Sequence, residues 1–112
     1  MPIEKIYAQL NCTDMERSAA WLTKLFGRPA DAAPMDGLNE WHHADNAGVQ
    51  LVRNSADAGC GYLTLIVGDI EAELARLNEA DIKTEKVTVG DIAKISQLVD
   101  PDGNTVVLAQ PM

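Results

Sequence analysis

Basic residues are scarce in this chain. Lys and Arg total 9 against 17 Asp and Glu, for a formal net charge of −8. Sequence-independent nucleic-acid binding needs the opposite balance, because phosphates are neutralised by Lys and Arg. No basic amphipathic face is available for an anionic membrane surface either. No stretch reaches the roughly 18 consecutive apolar residues of a membrane span, and the opening "MPIEKIYAQL" lacks the apolar region of a secretory leader. Cysteine is limited to Cys12 and Cys60, neither in a CxxC. Two such residues make no disulfide framework and read as reduced thiols. The expected location is therefore the cytoplasm, with neither a nucleic acid nor a membrane as partner. Aromatics are sparse at 4%, and there are only two histidines, so a ligand pocket has few of either to use.

What remains is patterned. The length of 112 residues suits a single domain, and 46% hydrophobic content suits a globular one. "IEKIYAQLNC" alternates, with Ile6, Ala8, Leu10 and Cys12 on one side and Tyr7, Gln9 and Asn11 on the other, which predicts a strand. "TDMERSAAWLTKLFG" predicts a helix with Thr13 as N-cap and Glu16 completing a capping box. Met15, Ala19, Leu22 and Phe26 form its buried stripe and Gly27 its stop. Trp21 lies off that stripe and is expected at the sheet edge or a subunit contact. Two short strands, "LNEWHHA" and "GVQLVRN", flank a turn at Asn46-Ala47-Gly48. A poorly marked strand around residues 28–35 precedes them, diluted by Pro and Ala.

The second half repeats this order. "GYLTLIV" predicts a strand with Tyr62, Thr64 and Ile66 on one face, and Asp69 caps a helix buried through Ile70, Leu74 and Leu77. "KTEKVTV", "IAKISQLV" and "NTVVLAQ" predict three further strands. The last two are joined by "DPDGN", a strong turn signal. Tyr7, Leu10, Asp14 and Leu22 correspond to Tyr62, Leu65, Asp69 and Leu77, 55 positions on, and Val49-Gln50-Leu51 corresponds to Val106-Val107-Leu108, 57 on. The pattern is a duplicated βαβββ unit, module 1 over about residues 1–55 and module 2 over about 58–112, forming one domain.

With its first helix ending "LFG" and "DPDGN" standing before a final strand, the duplicated chain resembles the vicinal oxygen chelate superfamily. That superfamily includes glyoxalase I, bleomycin- and fosfomycin-resistance proteins and extradiol dioxygenases. The resemblance spans essentially the whole chain. It implies an α+β fold, two tandem βαβββ modules forming a curled mixed sheet with the helices outside and a small-molecule cup inside. It also implies a homodimer. Metal-dependent members place one His, Gln or Glu ligand on the first and last strand of each module, leaving open positions for substrate oxygens. On this sequence those positions fall at Tyr7, Gln50, Tyr62 and Val107, and only Gln50 is a suitable ligand. Shifting the register by one residue supplies no donor. "DPDGN" then acts as a structural turn and as a ruler for the last position.

His42 and His43 are adjacent on a strand and so point to opposite faces. Glu40 and Asp45 nearby read as solvated. By strand parity the inner face carries Tyr7, Gln9, Asn11, Gln50, Tyr62 and Thr64, joined by Trp41 or, on the other parity, His42. Lys94 and Ser96, or Ile95 and Gln97, line the seventh strand. Taking Trp41, the candidate ligand-binding set is Tyr7, Gln9, Asn11, Trp41, Gln50, Tyr62 and Thr64. Such a mixture of aromatic walls and uncharged hydrogen-bonding groups suits a small organic ligand with hydroxyl, amide or planar apolar parts. The leading expectation is a binding protein with no metal cofactor. The alternative is a divalent-metal lyase, isomerase or dioxygenase with atypical ligands, such as Gln50 with His42 or His43. A metal-free enzyme using Tyr7 or Tyr62 as acid ranks last, because no base partner is evident.

Overall fold

The alternating and helical patterns become ten elements in the computed structural model, which describes residues 1–112. Module 1 comprises β1 (Ile6–Cys12), α1 (Met15–Phe26), β2 (Ala32–Met35), β3 (Leu38–His43) and β4 (Ala47–Arg53). A 3-10 turn, Ser55–Asp57, leads to module 2: β5 (Tyr62–Ile66), α2 (Ile70–Glu79), β6 (Thr88–Val89), β7 (Ala93–Val99) and β8 (Thr105–Pro111). Each module is one four-stranded mixed sheet, ordered β1-β4-β3-β2 and β5-β8-β7-β6. The first and last strands of each module run parallel and the others antiparallel. Gln9 pairs with Gln50 in one module and Thr64 with Val107 in the other, so the offsets of 55 and 57 match residues in equivalent ladder positions.

The helices cover one face of each sheet. Leu22 and Leu25 of α1 are buried with Leu10, Trp41, Val49 and Leu51, while Ile70, Leu74 and Leu77 of α2 are buried with Leu63, Leu98, Val106 and Leu108. These residues belong to one continuous cluster spanning both modules. Burying one such leucine is worth about 1.5–3 kcal/mol. Trp21 is half-buried against the same cluster. Ser18 rather than Ala19 completes the fully buried side of α1.

The start of α1 differs from the expected capping box. Asp14 is the N-cap, its carboxylate accepting from the Arg17 N–H at 3.1 Å. Thr13 lies outside the helix because its hydroxyl donates to Asp102 at 2.6 Å and its N–H faces the same carboxylate. Gly27 stops the helix with φ 74°, a left-handed conformation that favours glycine. Asp69 caps α2 as expected, accepting from the Ala72 N–H at 3.1 Å. The β3–β4 turn falls two positions earlier than expected, at residues 44–46, and Ala47 already belongs to β4. β6 is shorter than its predicted seven-residue run, with only Thr88 and Val89 paired to β7.

"DPDGN" joins β7 to β8 and also binds module 2 to module 1. Asn104 is fully buried. Its side-chain amide donates to the Asn11 carbonyl at 2.9 Å and to the Asp100 carboxylate at 2.8 Å, and its oxygen accepts from the Gly61 N–H at 2.8 Å. The Asp102 carboxylate accepts from Thr13, from the Ser18 hydroxyl at 3.2 Å and from the Arg17 guanidinium at 3.1 Å. β1 and β5 touch where the two modules meet.

Candidate functional site: the open sheet faces

The sheet faces away from the helices carry the polar side chains of β1 and β4. Residues paired across a ladder point to the same side, which defines three rows on module 1. They are Tyr7–Gly48–His42, Gln9–Gln50–Glu40 and Asn11–Val52–Leu38. Gly48 has no side chain for a steric reason. A Cβ there would stand 2.7 Å from the Tyr7 ring and 2.8 Å from the Trp41 carbonyl. The Tyr7 ring therefore lies over Gly48 and meets His42 edge-on, with ring centroids 6.1 Å apart.

The middle row is linked by hydrogen bonds. The Gln50 amide donates to Glu40 Oε2 at 2.8 Å, and Glu40 Oε1 lies 3.1 Å from His42 Nε2. First the Gln50 amide and then the His42 ring hold the Glu40 carboxyl below the usual carboxylate range. Within β1, Gln9 donates to Asn11 at 2.9 Å. The His42 backbone is itself fixed: its N–H donates to Asp31 at 2.6 Å, and Arg28 bonds both its carbonyl and Asp31. A cavity of about 220 Å³ opens at this end of the face, lined by Lys5, Tyr7, His42, Ala44, Asp45 and Ala47.

Module 2 presents a different face. Its rows are Tyr62–Thr105–Val99, Thr64–Val107–Gln97 and Ile66–Ala109–Ile95. Tyr62, Ile66 and Val99 are 77%, 68% and 60% exposed. The seventh-strand choice is thus Ile95 and Gln97; Ser96 is buried and donates to the Glu85 carbonyl.

The structure places Tyr7, Gln9, Asn11 and Gln50 together on module 1, and Tyr62 and Thr64 together on module 2. It removes Trp41 from the set. Trp41 pairs with Val49, whose side chain faces the helix, so the β3 parity sends the indole into the core. There it is fully buried, donates to the Arg28 carbonyl at 2.9 Å and packs on Phe26 at 5.8 Å. His42 takes its place on the open face. Glu40, expected to be solvated, is instead held by Gln50 and His42, with its side chain only 13% exposed. Its position two residues before His42 on the same strand carried the signal.

The donor set does not fit a chelated divalent ion. Val107 cannot coordinate, Tyr62 stands with Thr105 and Val99, and no group of three or more His, Cys, Asp or Glu side chains assembles with metal-site geometry. Glu40 and His42 are engaged with each other rather than directed at a shared point.

No protein-family profile matches the sequence, and no curated protein matches it. Solved structures do match. A glyoxalase/bleomycin resistance protein from Catenulispora acidiphila superposes with a TM-score of 0.87 at 22% identity, covering 95% of this chain and 96% of that one. TnmS3, an antibiotic binding protein from a Streptomyces strain, gives 0.82 at 22% identity, covering 96% and 95%. A lactoylglutathione lyase from Agrobacterium tumefaciens gives 0.79 at 17% identity, covering 97% and 94%. The duplicated βαβββ architecture is that of the glyoxalase/bleomycin-resistance fold, as the sequence resemblance implied. At these identities the likeness is one of fold, and the function is argued from the site.

Proposed function

We propose that this chain binds a small organic molecule against its open sheet faces, without a resident metal, as a cytoplasmic homodimer. The carrying observation is the module 1 face, where Tyr7, Gln9, Asn11, Gln50 and His42 offer aromatic contact and directional hydrogen bonds around one fixed carboxylate, Glu40. Such a face suits a ligand with hydroxyl or amide groups and a planar apolar part. The apolar module 2 face supports the dimer. Tyr62 and Val99 in one row and Ile66 two rows on are exposed on the same face, and large apolar side chains left open on one face accord with an interaction site. A two-fold dimer is the commonest closed assembly. TnmS3, named as an antibiotic binding protein, is a structural neighbour that accords with a binding role. No helix here is long and apolar enough to cross a membrane.

The test has two parts. Protein purified without chelators is dialysed against Ni, Co, Zn, Mn or Fe(II) and its metal content measured; no retained metal is expected. A panel of neutral organic compounds is then screened by the side-chain amide resonances of Gln9, Asn11 and Gln50. Saturable shifts at these amides support the reading; their absence across the panel, or near-stoichiometric metal, defeats it. A metal-dependent lyase, isomerase or dioxygenase is the second reading. It would require Gln50, Glu40 and His42 to exchange their mutual hydrogen bonds for a metal, and retained metal would bring it forward.

A further inference from the structure

A second concavity lies on the opposite side of the sheets, between the two helices. Its volume is about 230 Å³. Phe26 at the end of α1, Leu77 of α2 and the sheet-side residues Leu65, Val67 and Leu108 supply its apolar wall, and His43 completes it. A dry apolar cavity of about 150 Å³ holds benzene. The space here is larger but open to solvent on one side, so it can seat one six-membered ring with a substituent directed outward.

The charges at the rim are already matched. Arg76 pairs with Glu73 at 2.9 Å and also donates to the Lys24 and Leu25 carbonyls at 2.8 and 2.6 Å. An ionic ligand would find no free counter-charge, and burying it unpaired is costly. Within the wall one polar atom is unmatched. His43 Nε2 is buried and has no hydrogen-bond partner. Its ring packs on Phe26, centroids 4.7 Å apart. Burial, and then the Arg28 charge, hold the His43 pKa below its ordinary value, which keeps the imidazole neutral. A neutral imidazole has one donor and one acceptor nitrogen, and a hydroxyl meets either. The imidazole torsion is broad, so a modest ring rotation turns Nε2 toward an occupant.

We infer that this inter-helix cleft is a second binding site, for an uncharged monocyclic molecule bearing a single hydroxyl that hydrogen-bonds to His43. It is separate from the open-face site and stands or falls independently, because its reporters are on the other side of the sheet.

The probes are p-cresol, toluene and benzoate, titrated into the full chain and followed by the ring resonances of His43 and Phe26 and the indole of Trp41. Saturable shifts by p-cresol are expected at these residues and not at the Gln9 or Gln50 amides. p-Cresol should bind about fivefold more tightly than toluene, the size of one net hydrogen bond, and benzoate should not bind. His43→Phe should erase the preference for p-cresol over toluene. Val67→Phe, which fills the cleft from a half-buried position, should abolish binding of both and keeps the test decisive if His43→Phe fails to fold. The inference is overturned if no probe gives a saturable shift, if benzoate competes equally, if the preference survives His43→Phe, or if the shifts fall on the open face.

Discussion

Replacing Asn104 with alanine should show how far one buried amide holds the two modules together. The side chain is fully buried and makes three hydrogen bonds: to the Asn11 carbonyl in module 1, from the Gly61 N–H at the inter-module joint, and to Asp100 within the turn. Truncation leaves the Asn11 carbonyl and the Gly61 N–H without these side-chain partners. Each buried group so orphaned costs about 1–3 kcal/mol. Some relaxation and water entry offset the sum, so the expected destabilisation is about 3 kcal/mol. For a domain whose total stability lies in the range of about 5–15 kcal/mol, that is a large fraction. The transition temperature should fall by roughly 10 °C.

Asn104→Asp separates shape from hydrogen bonding. It preserves the volume but sets a carboxylate oxygen where the amide nitrogen faced the Asn11 carbonyl and the Asp100 carboxylate. It should therefore be no more stable than the alanine variant at neutral pH, despite its closer shape. Urea unfolding followed by far-UV circular dichroism gives both midpoints, with unchanged slopes confirming that the same surface is exposed. A loss below about 1 kcal/mol for Asn104→Ala, or an Asn104→Asp variant as stable as the wild type, would refute the clamp.

Asp102 should account for part of the acid sensitivity. Burial alone would raise its carboxyl, but hydrogen bonds from Thr13 and Ser18 and the Arg17 charge outweigh it, so its folded pKa lies below the ordinary value. This contribution is present above the unfolded pKa of about 3.9 and is lost as pH falls through the folded one; Asp102→Asn should lower the urea midpoint at pH 7 and flatten the acid arm between pH 2 and 5. Gly48→Ala should displace Tyr7 from His42 and cost about 1–3 kcal/mol by overpacking, read from Tyr7–His42 cross-peaks and from thermal melting. Leu22→Ala should cost about 2–5 kcal/mol by opening a cavity beneath α1, and a denaturation midpoint within error of wild type would contradict the placement of that leucine in the shared core.

The architecture was legible because period-two and helical patterns recur in the same order, and their offsets proved to be ladder equivalences. The departures have local causes. Thr13 has the chemistry of an N-cap, but Asp102, distant in sequence, draws its hydroxyl and N–H away and leaves the cap to Asp14. β3 was ambiguous in parity because Trp41 and His42 are both acceptable on either face. The register against β4, with Trp41 opposite Val49 and His42 opposite Gly48, decides it. Glu40 was misplaced for a related reason. A glutamate on a short strand reads as solvated until the cross-strand Gln50 and the same-face His42 are known to approach it.

The duplication itself argues for divided labour between the two open faces. Equivalent ladder positions have diverged: Gln9, Gln50 and Glu40 in module 1 correspond to Thr64, Val107 and Gln97 in module 2, so the middle of the row has become apolar. Tyr7 and Tyr62 retain the same residue type, yet Tyr7 is half-buried beside His42 whereas Tyr62 is 77% exposed. A face rich in hydrogen-bonding groups can orient a ligand, and one with fewer of them and more exposed apolar side chains contributes mainly apolar contact. Both requirements are met if a second subunit brings the apolar face of one chain over the polar face of the other. Tyr62→Ser should then weaken self-association and ligand affinity together, whereas Gln50→Leu should weaken ligand affinity while leaving the dimer intact. Sedimentation and ligand titration on the same samples measure both quantities. If Tyr62→Ser loses affinity in a protein that remains fully dimeric, Tyr62 contacts the ligand without holding the dimer. If neither quantity changes, module 2 has no part in the site.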